Sequence, residues 1–120
     1  MSPKSGYVYI LKNPEYPGKY KIGKTLEHPE VRANQLSRQT SSIGKFEVLC
    51  SYETITPDLA EKFLHVLFER NHFEKEFFDL SEYDEAFLIE FLQDFEEFEL
   101  TFVKLTAKLG KERIKKMINE

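Results

Sequence analysis

Four polar residues in this 120-residue chain have side chains suited to chemistry. Tyr9 and Lys21 sit inside two short apolar stretches that flank a turn. A phenol ionises at a pKa of about 10 and is a poor base at neutral pH. An ammonium beside it favours the phenolate, so a lysine on the neighbouring strand can activate Tyr9 or orient a water for it. Arg32 offers a planar fork of donors that matches phosphate oxygens. Glu61 can hold one hard divalent cation, which retains several waters and takes a phosphate oxygen in its shell. Each residue also has an ordinary structural reading. Tyr9 can pack across strands, Lys21 can be an edge-strand charge, Arg32 a surface helix residue, and Glu61 an acid early in a helix.

The elements that must position these groups follow from local pattern. Tyr7 to Lys12 and Lys19 to Lys24 are rich in β-branched and aromatic residues and read as strands. The intervening Asn13-Pro14-Glu15-Tyr16-Pro17-Gly18 is dense in turn formers, so the strands pair as a hairpin. His28-Pro29-Glu30 opens a helix to about Arg38 that presents Val31 and Leu36 to the core. Thr40 to Gly44 is a polar loop, and Phe46 to Glu53 a third strand. Thr56-Pro57-Asp58 starts a second helix, with a capping hydroxyl, a proline and an acid. Phe77 to Leu80 can add to a sheet edge. Ser81-Glu82-Tyr83-Asp84 resembles a capping box before a Phe-rich acidic helix. A last helix from about Leu100 to Asn119 is expected to break or bend near Gly110. A hairpin followed by helices indicates an α+β fold.

Composition bounds the function. Apolar residues are 41% and charged residues 32% of the chain, a globular balance. The apolar runs are too short to span a bilayer, and no signal peptide is apparent. The single Cys50 lies in an apolar run and reads as a small core residue in a reducing, intracellular setting (cytoplasm, or nucleus in a eukaryote). The net charge of −4 conceals a pattern. Residues 1–50 carry eight Lys/Arg against four acids, residues 51–103 three against fifteen, and residues 104–120 six against two. Two basic ends flank an acidic middle, and together they can form a phosphate-attracting patch. Lys104, Lys108, Lys111 and Lys115 recur at helical spacing. The acids of the Phe-rich helix argue against phosphate contact there and for packing or a partner surface.

Taken in order, Val8-Tyr9, Lys12-Asn13 and Lys21-Ile22-Gly23 resemble the two motifs of the GIY-YIG nuclease superfamily. The likeness is to its phage-encoded branch, whose hairpin reads VYIL…KIGKT. That branch has a Glu-x-x-x-His helix and then an acid before aromatics, here Glu61 to His65 and Glu76-Phe77-Phe78. The resemblance covers Gly6 to Leu80. Tyr7 stands where the family has glycine, and Lys21 where most members have tyrosine. The resemblance implies a small domain with a three-stranded, mostly antiparallel sheet flanked by helices. Residues 6–80 would form its core and 81–120 a helical extension, within one domain spanning 1–120. It implies an endonuclease that hydrolyses DNA phosphodiester bonds with one divalent cation, Mg or Mn. Tyr9, Lys21, Arg32 and Glu61 would be catalytic, Glu61 the metal ligand, and His65 and Glu76 supporting residues. Lys24, Arg38, Lys108 and Lys111 are the candidate nucleic-acid contacts. The alternatives on the same fold are a weakly active or inactive nucleic-acid-binding module and a protein-interaction domain. In a chain this short, a protein partner or a second copy would supply specificity.

Overall fold

Alternation along one strand sorts the molecule into two layers. In the computed structural model, which describes residues 5–39 and 43–119, β1 (Gly6–Lys12) points Val8 and Ile10 to one face and Tyr9 and Leu11 to the other. It pairs antiparallel with β2 (Lys19–Thr25), setting Tyr9 opposite Gly23 and Leu11 opposite Lys21. The connecting turn is held by Asn13, whose buried side chain donates to the Ile43 carbonyl at 2.8 Å and accepts the Glu15 N–H at 3.0 Å. Most of the polar loop expected over Thr40–Gly44 lies outside the described residues.

The helix α1 (Pro29–Ser37) starts where its proline and its His28 cap place it: His28 Nδ1 accepts the Glu30 N–H at 3.2 Å. It buries Ala33 and Leu36 against Tyr9 and Leu11, whereas Val31, expected to face inward, is exposed. Strand β3 (Glu47–Thr54) pairs with the other edge of β1. The second helix, α2 (Pro57–Leu67), buries Ala60 and Leu64 on the opposite face of the sheet. A 3₁₀ turn over Glu69–Asn71 leads into a hairpin of β4 (His72–Glu74) and β5 (Phe77–Asp79), with Lys75 at φ 50° between them.

The class is α+β as expected, but the sheet has five strands in the order β3-β1-β2-β5-β4 rather than three. Of the extra pair, β5 falls within the apolar run Phe77 to Leu80 expected at a sheet edge, whereas all of β4 is exposed and no alternation of apolar residues announces it. The pair is held through backbone pairing of β5 with Lys19 to Lys21. The C-terminal helices also differ from expectation. A single helix α3 (Glu85–Asn119) runs uninterrupted through Gly110. Its cap is Asp84, which accepts the Phe87 N–H at 2.7 Å, while the Ser81 hydroxyl donates to Asp79 instead. Leu88 and Leu92 are fully or nearly fully buried on the sheet. At about 1.5–3 kcal/mol each, they fix the proximal half of the helix. One turn past Phe95, Glu99 accepts hydrogen bonds from Tyr52, Thr54 and Thr56, tying α3 to β3 and to the entrance of α2. The Thr56 hydroxyl, expected to cap α2, is spent on this contact. Among the described residues no helix is long and apolar enough to cross a membrane.

Candidate functional site

The site lies where the sheet is incomplete. Strand β5 covers the free edge of β2 over Lys19 to Lys21, and the Glu76 carbonyl accepts the Ile22 N–H at 3.0 Å. Past that point, among the described residues, no strand lies beside that edge of β2. Helix α2 reaches into the gap. His65 Nε2 lies 2.8 Å from the Ile22 carbonyl oxygen. A carbonyl only accepts, so Nε2 is the protonated nitrogen and donates. The ring leans on Phe78 with centroids 5.0 Å apart. Sequence alone leaves His65 between a structural and a chemical role, and this hydrogen bond to the strand backbone supports the structural one.

Glu61 sits one helical turn before His65 and reaches the same notch. Its Oε2 is buried with no hydrogen-bond partner. Burial raises the Glu61 pKa most, and the nearby Glu76 carboxylate raises it further, while His65 and Lys24 pull it down. A buried, unpartnered carboxylate oxygen is costly to maintain. It is also a ready ligand for a cation. Among the described residues no group of three or more His, Cys, Asp or Glu side chains converges as a metal cage. Glu61 therefore fits a hard cation that takes most of its shell from water and phosphate oxygens.

Tyr9 approaches from the α1 side and is only 1% exposed. Its ring lies across Gly23. A Cβ built on Gly23 would stand 2.6 Å from the Tyr9 hydroxyl oxygen and 2.8 Å from Cζ. The glycine of Lys21-Ile22-Gly23 is thus the space that the phenol occupies. Burial pushes the Tyr9 pKa up; a hydrogen-bonding interaction with Arg32 lowers it, Glu76 raises it, and Glu61 adds a smaller rise. The balance is upward, so the phenol is protonated at neutral pH. Arg32 comes from the first turn of α1 and also reaches Gln35 Oε1 at 3.5 Å.

Tyr9, Arg32, Glu61 and Glu76 therefore share one electrostatic neighbourhood. Lys21 lies on the same sheet face as Tyr9, diagonally across the hairpin. Its Nζ donates to Glu76 Oε2 at 2.7 Å and lies 5.3 Å from the Phe77 ring centroid, with the side chain 12% exposed. Glu76 holds the Lys21 ammonium, and Arg32 is a cation that lowers the Tyr9 pKa. Glu76, read from sequence as an acid that pairs with a base or fixes the sheet edge, does both.

The other candidates are placed less centrally. Lys24 pairs with Asp58, a first-turn residue of α2 that sequence reasoning treated only as a helix-start acid. Both flank an open surface cleft of about 640 Å³ running from Thr25 to Leu59; Tyr9 does not line it. Arg38 is the exposed C-cap of α1. Lys108 and Lys111 are exposed on the distal half of α3, with Lys108 roughly 20 Å along the helix from Phe95, its last buried residue. They share a helix face with Lys104 and Lys115 and are not brought to the notch.

A comparison with family models matches residues 6–96 to one described as the T5orf172 domain. No curated protein sequence and no solved structure gives a match. The matched span takes in the whole sheet, α1, α2 and the proximal, packed part of α3. With most of the chain inside that match, this protein belongs to the T5orf172 domain family.

Proposed function

We propose that this chain is a divalent-cation-dependent endonuclease that hydrolyses DNA phosphodiester bonds by a one-metal, GIY-YIG-type scheme. The observation that carries the reading is the unpartnered, buried Oε2 of Glu61, whose carboxylate, like the Arg32 guanidinium, acts on the Tyr9 phenol. Glu61 would hold Mg²⁺ or Mn²⁺, which supplies charge neutralisation to a phosphate oxygen and the leaving group. Arg32 binds a second phosphate oxygen through its fork. Tyr9 is protonated in the resting protein; once its phenol proton has passed to bulk water, a loss that Arg32 favours, the phenolate orients the attacking water and accepts its proton. Lys21 keeps Glu76 in place and so holds the β4–β5 hairpin against β2. His65 locks the backbone of the strand that carries Gly23.

The burial of Tyr9 favours a second reading, a nucleic-acid-binding module with little turnover. One experiment separates the two. Plasmid and labelled duplex DNA are incubated with the protein in Mg²⁺ or Mn²⁺, beside Arg32→Ala and Glu61→Gln, while binding is measured at several salt concentrations. Metal-dependent cleavage that both substitutions abolish supports the endonuclease. Salt-sensitive binding without cleavage supports the second reading. Cleavage that survives both substitutions removes Glu61 and Arg32 from the chemistry.

A further inference from the structure

Helix α1 covers half of its side of the sheet, packing on β1 and β3. Over β2, β5 and β4 the same face carries Lys19, Lys21, Phe77 and Asp79, all half-buried, and the exposed Phe73. Alternation sets their side. Tyr20, Ile22 and Phe78 are in the core on the opposite face, and the His72 ring rests on Phe78, which turns Phe73 the other way. Each ammonium stands over a ring. Lys19 Nζ lies 5.0 Å from the Phe73 ring centroid and 3.1 Å from Asp79; Lys21 Nζ lies 5.3 Å from the centroid of Phe77. Phe77 in turn meets Phe46 at 6.1 Å, which leaves Phe73, 61% exposed, as the open ring of the pair.

This half-sheet runs into the notch. Lys19, Lys21 and Gly23 follow one another along β2 on this face, and Gly23 lies against the Tyr9 ring, roughly 13 Å of strand from Lys19. Rings beside cations suit a polynucleotide, with bases on the rings and phosphates on the ammonium groups. The charge balance says which form. The start of β2 and the β4–β5 hairpin bring Lys19, Lys21 and Lys75 against Glu74, Glu76 and Asp79, three against three. A duplex, with one negative charge per ~1.7 Å of axis, gains little from a balanced surface. Its base faces are also hidden in its own stack. An unpaired strand carries half that charge and offers its base faces to an exposed ring such as Phe73.

We propose that this half-sheet binds an unpaired segment of the strand entering the notch, with a base stacked on Phe73, so that the substrate is DNA with a single-stranded flank. The inference rests on the endonuclease reading for what happens to that strand; the binding itself needs no cleavage. The chain has no tryptophan, so Phe73→Trp puts a single fluorophore on the platform. Without divalent cations, a single-stranded oligothymidylate should quench that fluorescence saturably, and a blunt duplex of equal length should not. Phe73→Leu keeps apolar bulk and loses the ring. In anisotropy titrations it should weaken single-strand binding about tenfold, and Phe73→Tyr should restore it. Phe73 is exposed, so circular dichroism should show these variants folded; should Phe73→Leu fail to fold, the quench alone decides. With Mn²⁺ present, a duplex bearing an unpaired arm should be cut about tenfold faster than a blunt one. The proposal is overturned if the single strand does not quench, or if the blunt duplex quenches equally. It is also overturned if single-strand affinity is indifferent to the folded Phe73→Leu, or if both duplexes are cut alike. Quenching with no cleavage of either duplex upholds the platform and counts against the endonuclease reading alone.

Discussion

Substituting Gly23 by alanine tests the geometry of the notch without touching a polar group. The new methyl would lie 2.6 Å from the Tyr9 hydroxyl oxygen, 2.8 Å from Cζ and 3.0 Å from Cε1, where an unstrained contact needs well over 3 Å. The ring is buried against the face that α1 covers. Overpacking of this kind costs about 1–3 kcal/mol. Alanine in a strand recovers about 0.5–1 kcal/mol of backbone entropy relative to glycine. The net expected loss is roughly 1–2 kcal/mol, a fall in Tm on the order of 4–10 °C for a chain of this size. The assay is thermal and urea unfolding of wild type, Gly23→Ala, Tyr9→Phe and the double variant. Removing the hydroxyl takes away the nearest clashing atom, so the double variant should be more stable than additivity allows, with a coupling of about 0.5–1 kcal/mol. If Gly23→Ala is as stable as wild type, or the two changes simply add, the phenol does not lie across Gly23 and the reasoning built on it fails.

Other perturbations read other parts of the structure. In the absence of divalent cations, Glu61→Gln should have a Tm equal to or above wild type, because a buried carboxylate oxygen loses its unpaired charge; added Mn²⁺ should raise the Tm of wild type alone. Glu99→Ala should cost about 2 kcal/mol in urea titrations, since three hydroxyls, those of Tyr52, Thr54 and Thr56, lose a charged acceptor. Asp79 has its pKa lowered from 3.8 to about 2 by hydrogen bonds from Ser81 and then by Lys19. Its contribution is therefore present above pH 4 and is lost as pH falls toward 2, so Asp79→Asn should be less stable than wild type at pH 7 and match it near pH 2. Cys50, whose thiol burial pushes up to about 12, should resist alkylation at pH 8 in the folded protein and react on unfolding.

What the sequence conveyed depended on the range of the interaction. The hairpin and the starts of α1 and α2 were legible because proline, capping residues and β-branched runs act within a few positions. Strand β4 was not, because its three exposed residues are held by a ladder rather than by a pattern. The continuity of α3 was obscured by Gly110. A glycine there costs about 1 kcal/mol, too little to break a long helix. Ordered motifs indicated which elements carry Tyr9, Arg32 and Glu61. They did not indicate that the base taken by Glu76 is Lys21, a contact across 55 residues that the pairing of β5 with β2 brings about. Nor did spacing reveal that the sheet ends beside Ile22, which is the reason a helix side chain can approach the buried tyrosine at all.

That interrupted edge has a colloidal consequence. Backbone groups along the uncovered half of β2 are a template on which a foreign strand can add, the usual seed of edge-to-edge aggregation. The chain cannot cap them with a sixth strand without closing the notch. It uses a side chain instead: the imidazole of His65 takes the Ile22 carbonyl and is too short to propagate a ladder. Keeping this edge accessible and keeping the protein from self-adhesion are opposed demands, and a single histidine reconciles them.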